Sequence, residues 1–73
     1  MKIYPNPTNN ILNIESAKQY QKYEIINILG QTIQSVPIID AKFNIDVSTL
    51  KSGVYFIKLM DHEGEIMRKF LKS

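Results

Sequence analysis

A strict alternation of apolar and polar residues, Phe43-Asn44-Ile45-Asp46-Val47, constrains the fold of this chain more than any other feature. Successive side chains of a β-strand point to opposite faces. This period of two therefore puts Phe43, Ile45 and Val47 on one face of a strand. Other runs have the same character: Ile25, Ile28, Ile33 and Val36 belong to β-rich stretches, and Val54 to Met60 is a long β-branched and aromatic run. The one weak helical pattern spans Glu15 to Lys22, where a loop or short turn is the better reading.

Two turns share one chemistry. Asn27-Ile28-Leu29-Gly30 and Asp61-His62-Glu63-Gly64 each place an Asx residue first and glycine fourth. That is the preference of a type I turn, in which the Asx side chain caps the backbone and glycine accepts positive φ. Each lies between two β-type runs, so each predicts a hairpin with a bulge at the glycine. The strands expected are Ile11–Glu15, Tyr23–Ile28, Gln31–Pro37, Lys42–Val47, Val54–Met60 and Glu65–Lys72, with a short seventh piece at Ile3–Tyr4. Pro5 and Pro7 lack amide donors, and Asn6 is held extended by the proline after it. Pro5-Asn6-Pro7 is thus a stiff bend that ends the first strand. Short strands with turn signals at this spacing predict an all-β sandwich or barrel.

Leu50-Lys51-Ser52-Gly53-Val54-Tyr55 runs from a turn into a strand with a tyrosine near its start. In immunoglobulin-like sandwiches such a tyrosine hydrogen-bonds back to upstream backbone and pins the corner between sheets. If Tyr55 faces inward, so do Ile57 and Leu59, and the opposite face shows Val54, Phe56, Lys58 and Met60. That stripe is more apolar than a solvated surface needs: the sheet is covered on both sides, or Phe56 and Met60 form a docking patch. The last strand is ambiguous, because a one-residue slip exchanges Ile66 and Phe70 for Met67 and Leu71.

The chain is 73 residues long, so one unit over residues 1–73 is expected. A chain this short buries only about 60% of the surface its unfolded form exposes, which leaves marginal stability and little room for an enclosed active site. A net charge of +2 is too weak to argue for nucleic acid, even with Tyr20 and Tyr23 beside Lys18 and Lys22. From Ile66 to Ser73 the chain nevertheless carries Arg68, Lys69 and Lys72 and no acid. That segment reads as a solvated strand face or as a recognition tail. No apolar run approaches the ~20 residues of a membrane span. The start lacks a signal peptide's apolar stretch, so any export would be encoded on a longer precursor.

Chemistry is sparse. Without cysteine there is no disulfide scaffold, thiolate metal site or cysteine nucleophile. The sole histidine, His62, sits at the centre of a predicted turn with no second histidine to share a metal. Asp40, Asp46 and Asp61 miss the spacing of a calcium loop. The serines lack a neighbouring base. Gly30, Gly53 and Gly64 are isolated turn glycines rather than a phosphate-cradling loop. No catalytic residue and no cofactor are expected.

The ordered pieces resemble the type A C-terminal sorting domain of type IX secretion cargo. Tyr4-Pro5-Asn6-Pro7 is similar to the family's opening motif, followed by the Ile11-Leu12-Asn13-Ile14 strand. Glu24 to Gln31 is similar to its central hairpin, with Asn27 where relatives often carry aspartate. Ile45 to Leu50 and Gly53 to Lys58 resemble its most distinctive stretch, and Lys69-Phe70-Leu71-Lys72 its basic, apolar ending. The resemblance spans Ile3 to Lys72. It implies a small immunoglobulin-like antiparallel β-sandwich that performs no reaction and is covalently linked to an upstream cargo domain. The partners implied are an outer-membrane translocon, a shuttle protein and a sortase-like protease. The route implied leads through the periplasm and outer membrane to the cell surface or beyond.

Edge strands can accept a partner strand, with basic side chains setting register against an acidic surface. The candidate recognition residues are accordingly Lys58, Arg68, Lys69, Phe70 and Lys72. Tyr4, Pro5, Asn6, Pro7, Gly30, Leu50, Gly53, Tyr55 and Gly64 are expected to act through the fold. The rival is a small immunoglobulin- or fibronectin-like binding module of a secreted protein, and an enzyme comes third.

Overall fold

Seven strands and no helix form in the computed structural model, which describes residues 1–73. They are β1 (Lys2–Tyr4), β2 (Ile11–Glu15), β3 (Lys22–Asn27), β4 (Thr32–Pro37), β5 (Lys42–Asp46), β6 (Gly53–Asp61) and β7 (Gly64–Lys72). Each strand anticipated from the alternation is present, with its ends moved by no more than one residue. The stretch after Glu15 makes bends rather than helix.

The strands pair antiparallel into two sheets, β1-β2-β5 and β4-β3-β6-β7. In immunoglobulin terms β1, β2 and β5 take the places of A, B and E. The strands β3, β6 and β7 take those of C, F and G, with β4 as an added C′ strand. Between the layers lie Leu12, Ile14, Ile45 and Val47 from one sheet, and Tyr23, Ile25, Tyr55, Ile57, Leu59 and Phe70 from the other. Period-two patterning produces this directly, since the inward residues of each strand are its apolar ones.

Register answers the ambiguity of the last strand. Tyr55 opposes Phe70 and Leu59 opposes Ile66, so Ile66 and Phe70 turn inward while Met67 and Leu71 turn out. The stripe Val54, Phe56, Lys58 and Met60 does face outward, and the alternative of a sheet covered on both sides is overturned, because the fold has two layers only. Ile26, opposite Phe56, is buried yet lies outside the core cluster. Seven short strands suffice for one sandwich, and apolar groups on the outer face shield one another across neighbouring strands.

Both hairpins carry the expected caps. The Asn27 carboxamide oxygen accepts the amides of Leu29 at 2.9 Å and Gln31 at 3.0 Å, and Gly30 has φ +83. Its amide returns to the Asn27 carbonyl at 3.0 Å, a type I turn closed by a left-handed glycine bulge. Asp61 accepts the amides of Glu63 at 2.8 Å and Gly64 at 3.1 Å. A second irregularity was not legible: the register shifts between Ile25 and Ile26 and leaves Ile33 as an extra residue in β4.

The corner tyrosine is in place. Tyr55 donates its hydroxyl to the Lys51 carbonyl at 2.7 Å, and its ring stacks on Phe70 at 5.7 Å. Tyr55→Phe keeps the stacking and removes only the bond, so it should cost about 1 kcal/mol. In a chain of this size that lowers the thermal midpoint by roughly 4–8 °C. A melt followed by circular dichroism reads it, and an unchanged midpoint would deny the corner bond any role in stability.

Candidate functional site

The last strand ends a sheet, and its outer edge would normally present unpaired amides and carbonyls. Here the opening motif covers much of it. Past Tyr4 the chain leaves the three-stranded sheet, bends through Pro5-Asn6-Pro7 (both X-Pro bonds cis) and lies along the end of β7. Asn6 accepts the Leu71 amide on its side-chain oxygen at 2.9 Å and reaches the Lys69 carbonyl with its amide nitrogen at 3.5 Å. Thr8 donates its own amide to the Leu71 carbonyl at 2.9 Å and receives the Ser73 amide at 2.9 Å. A carboxamide offers one acceptor and one donor, so Asn6 stands in for a strand residue where flanking prolines allow no amide.

Thr8 completes the clasp. It is 1% exposed, and its hydroxyl donates to the Ile11 carbonyl at 2.8 Å. Sequence reasoning missed it, because nothing local marks a threonine after Pro7 as the partner of a strand more than sixty residues away. Only the stiff bend before it hinted that the segment has a fixed direction.

The candidate recognition residues divide. Lys69 and Arg68 are exposed on β7. Arg68 folds its guanidinium back onto the Met67 carbonyl at 3.0 Å, which closes another edge position. Lys72 is half-buried, with its Nζ 3.2 Å from the Ser73 carbonyl. Lys58 lies on the outer sheet face, within 3.5 Å of Glu24 and of Glu65. Phe70 is corrected: its side chain is 0% exposed, packed in the core against Tyr55, so no partner can touch it. The inward parity that Phe70 shares with Ile66 is what removes it from the surface.

The residues expected to act through the fold lie in several parts of the sandwich. Between Pro5 and Pro7, Asn6 bonds to Lys69 and Leu71 near the chain's end. Gly53 opposes Lys72, and Gly30 closes the hairpin at that same end of the sheet, where Asn27 opposes Tyr55. Leu50 packs half-buried against the core, while Gly64 sits in the turn at the far end. Tyr4 is exposed and donates its hydroxyl to the Glu15 carboxylate. His62 is exposed beside Gly64.

Three carboxylates titrate below their ordinary range. Lys18, at 2.8 Å, holds Asp61 down, aided by the amides of Glu63 and Gly64, and the Asp61 side chain is only 6% exposed. The Tyr4 hydroxyl does the same for Glu15, and the Ser48 hydroxyl and amide for Asp46. A carboxylate depressed in the folded state stabilises it above the unfolded pKa, and that stability is lost as pH falls through the folded pKa. The thermal midpoint should therefore fall steadily below about pH 4. Asp61→Asn should flatten part of that fall, and an unchanged slope in this variant would remove Asp61 from the acid response.

Comparison with known proteins follows the same outline. A family described as secretion system C-terminal sorting domain matches residues 2–73. Beta-agarase D of Zobellia galactanivorans is 33% identical over 69 residues, which is 94% of this chain and 14% of that protein. The chain thus spans a small part of the relative's length. No solved structure matches.

Proposed function

The chain belongs to the secretion system C-terminal sorting domain family, and on that premise we propose that it is the folded export signal of a longer secreted protein. It directs a passenger fused ahead of Met1 across the outer membrane through the type IX machinery. The machinery reads the surface where the opening motif and the basic ending meet, and the domain performs no reaction itself. A sortase-like protease then removes it, leaving the passenger on the cell surface or in the medium.

The observation that carries this is the match over residues 2–73. The geometry supports a reading by surface rather than by linear tail. Asn6 and Thr8 are hydrogen-bonded to Lys69, Leu71 and Ser73, so two motifs at opposite ends of the chain form one patch. The exposed Arg68 and Lys69 beside that patch suit an acidic partner surface.

The test fuses a signal peptide and a fluorescent protein ahead of residue 1 in type IX-competent cells. The fluorescent passenger should reach the surface or medium, and remain in the periplasm when the translocon is deleted or the domain is omitted. A folded fusion retained in the periplasm of competent cells overturns the proposal and favours the binding-module alternative.

A further inference from the structure

Three of the four sheet edges are short, interrupted or covered. On β1 only three residues are paired, and the backbone of Ile3 alone points away from β2. On β4 the extra residue Ile33 breaks the line, and Pro37 has no amide to offer. On β7 Asn6, Thr8 and Arg68 occupy the outer positions at Leu71, Lys69 and Met67. The remaining edge is β5.

Its free groups follow from the alternation of an antiparallel ladder. Val47 donates its amide to the Asn10 carbonyl at 2.7 Å, and the Ala41 carbonyl receives the Ser16 amide at 3.0 Å. Odd-numbered residues of this segment therefore direct their backbone toward β2. Lys42, Asn44 and Asp46 direct theirs away from the sheet, and all three are exposed. Five residues of straight strand thus stand open, with no bulge, no proline and no covering segment.

We infer that β5 is a homotypic docking edge, where a second copy of this chain adds its own β5 antiparallel across a two-fold axis through Asn44. The strand is self-complementary in that register. Lys42 of one copy faces Asp46 of the other, Asn44 faces Asn44, and Asp46 faces Lys42. Opposite charges directly across an antiparallel pair attract, and a slip by two residues in either direction loses both Lys42–Asp46 pairs at once. Each outward residue faces an outward residue, so every facing pair exchanges both of its backbone bonds. Phe43 falls opposite Ile45 on the inner face, so the rim of the core gains apolar cover. The isologous contact closes on itself and joins the two three-stranded sheets into one continuous sheet.

This inference does not depend on the export proposal. A strand-edge contact is smaller than a standard interface of about 1,600 Å², so the pair is reversible, with a dissociation constant on the order of 1 mM. The 73-residue chain is examined by sedimentation and by amide chemical shifts over a concentration series reaching several times that value. The expected result is a monomer–dimer equilibrium in which the amides of Lys42, Asn44 and Asp46 move with concentration. Asn44→Pro removes only a donor that the β2–β5 ladder does not use, so it should leave the melting curve close to wild type and abolish the dimer.

Lys42→Glu and Asp46→Lys should each weaken pairing about tenfold, by setting like charges opposite one another twice per dimer. An equimolar mixture of those two variants should pair as the wild type does, because each then supplies the charges the other lacks. Circular dichroism of each variant establishes that it is folded. A wild type that stays monomeric throughout the series overturns the inference. So does an Asn44→Pro variant that dimerises equally well, which would move the contact to the outer face around Phe56.

Discussion

Phe70→Ala is expected to leave the chain without a cooperative unfolding transition. The ring is 0% exposed and stacks on Tyr55 at 5.7 Å, so truncation removes both its burial and half of an aromatic pair. Phenylalanine-to-alanine changes in a core cost about 3–5 kcal/mol. Net stabilities of whole domains are roughly 5–15 kcal/mol, and a chain of this length sits at the low end. Little would remain to hold β7 in place. Thermal unfolding followed at the β-sheet signal reads this, together with loss of amide dispersion. A sharp transition near the wild-type temperature would mean that β7 does not dock as described. Export of an attached passenger should fail as well, through loss of the fold.

The second large effect separates surface from fold. Lys69→Glu combined with Lys72→Glu reverses the charge at the end of the chain, next to the clasp formed by Asn6 and Thr8. Lys69 is exposed, and Lys72 reaches only the terminal carbonyl, so each change should move stability by no more than about 0.5 kcal/mol. We expect export of the fluorescent fusion to drop to the level seen without the domain, while the melting curve stays close to wild type. Unchanged export would take the basic ending out of the recognised surface and leave the family's other motifs as its content. Together the pair of variants distinguishes a domain that fails because it is unfolded from one that is folded and not recognised.

Much of the scaffold was legible beforehand. The inward sets Phe43, Ile45 and Val47, and Tyr55, Ile57 and Leu59, follow from residues two apart. The caps at Asn27 and Asp61 follow from residues three apart. Harder to read was a residue whose role depends on its neighbour across the sheet. Phe70 belongs by composition to a basic, exposed-looking ending, and only its pairing with Tyr55 places it in the core. Lys58 reads as a free cation in sequence, and Glu24 and Glu65 stand beside it only once β3, β6 and β7 are side by side.

By itself the sequence determined that this chain makes short antiparallel strands, where they begin and end, and which turns join them. Alternation and Asx–glycine chemistry act over a few residues, so they survive without knowledge of the rest of the chain. Tertiary structure alone decided the register of β7, the bulge at Ile33, the use of Asn6 and Thr8 to cover an edge, and the edge left open at β5. Each of these depends on hydrogen bonds between segments far apart in the chain. A backbone amide carries the same donor whatever its side chain, so residue identity does not announce which distant carbonyl will receive it.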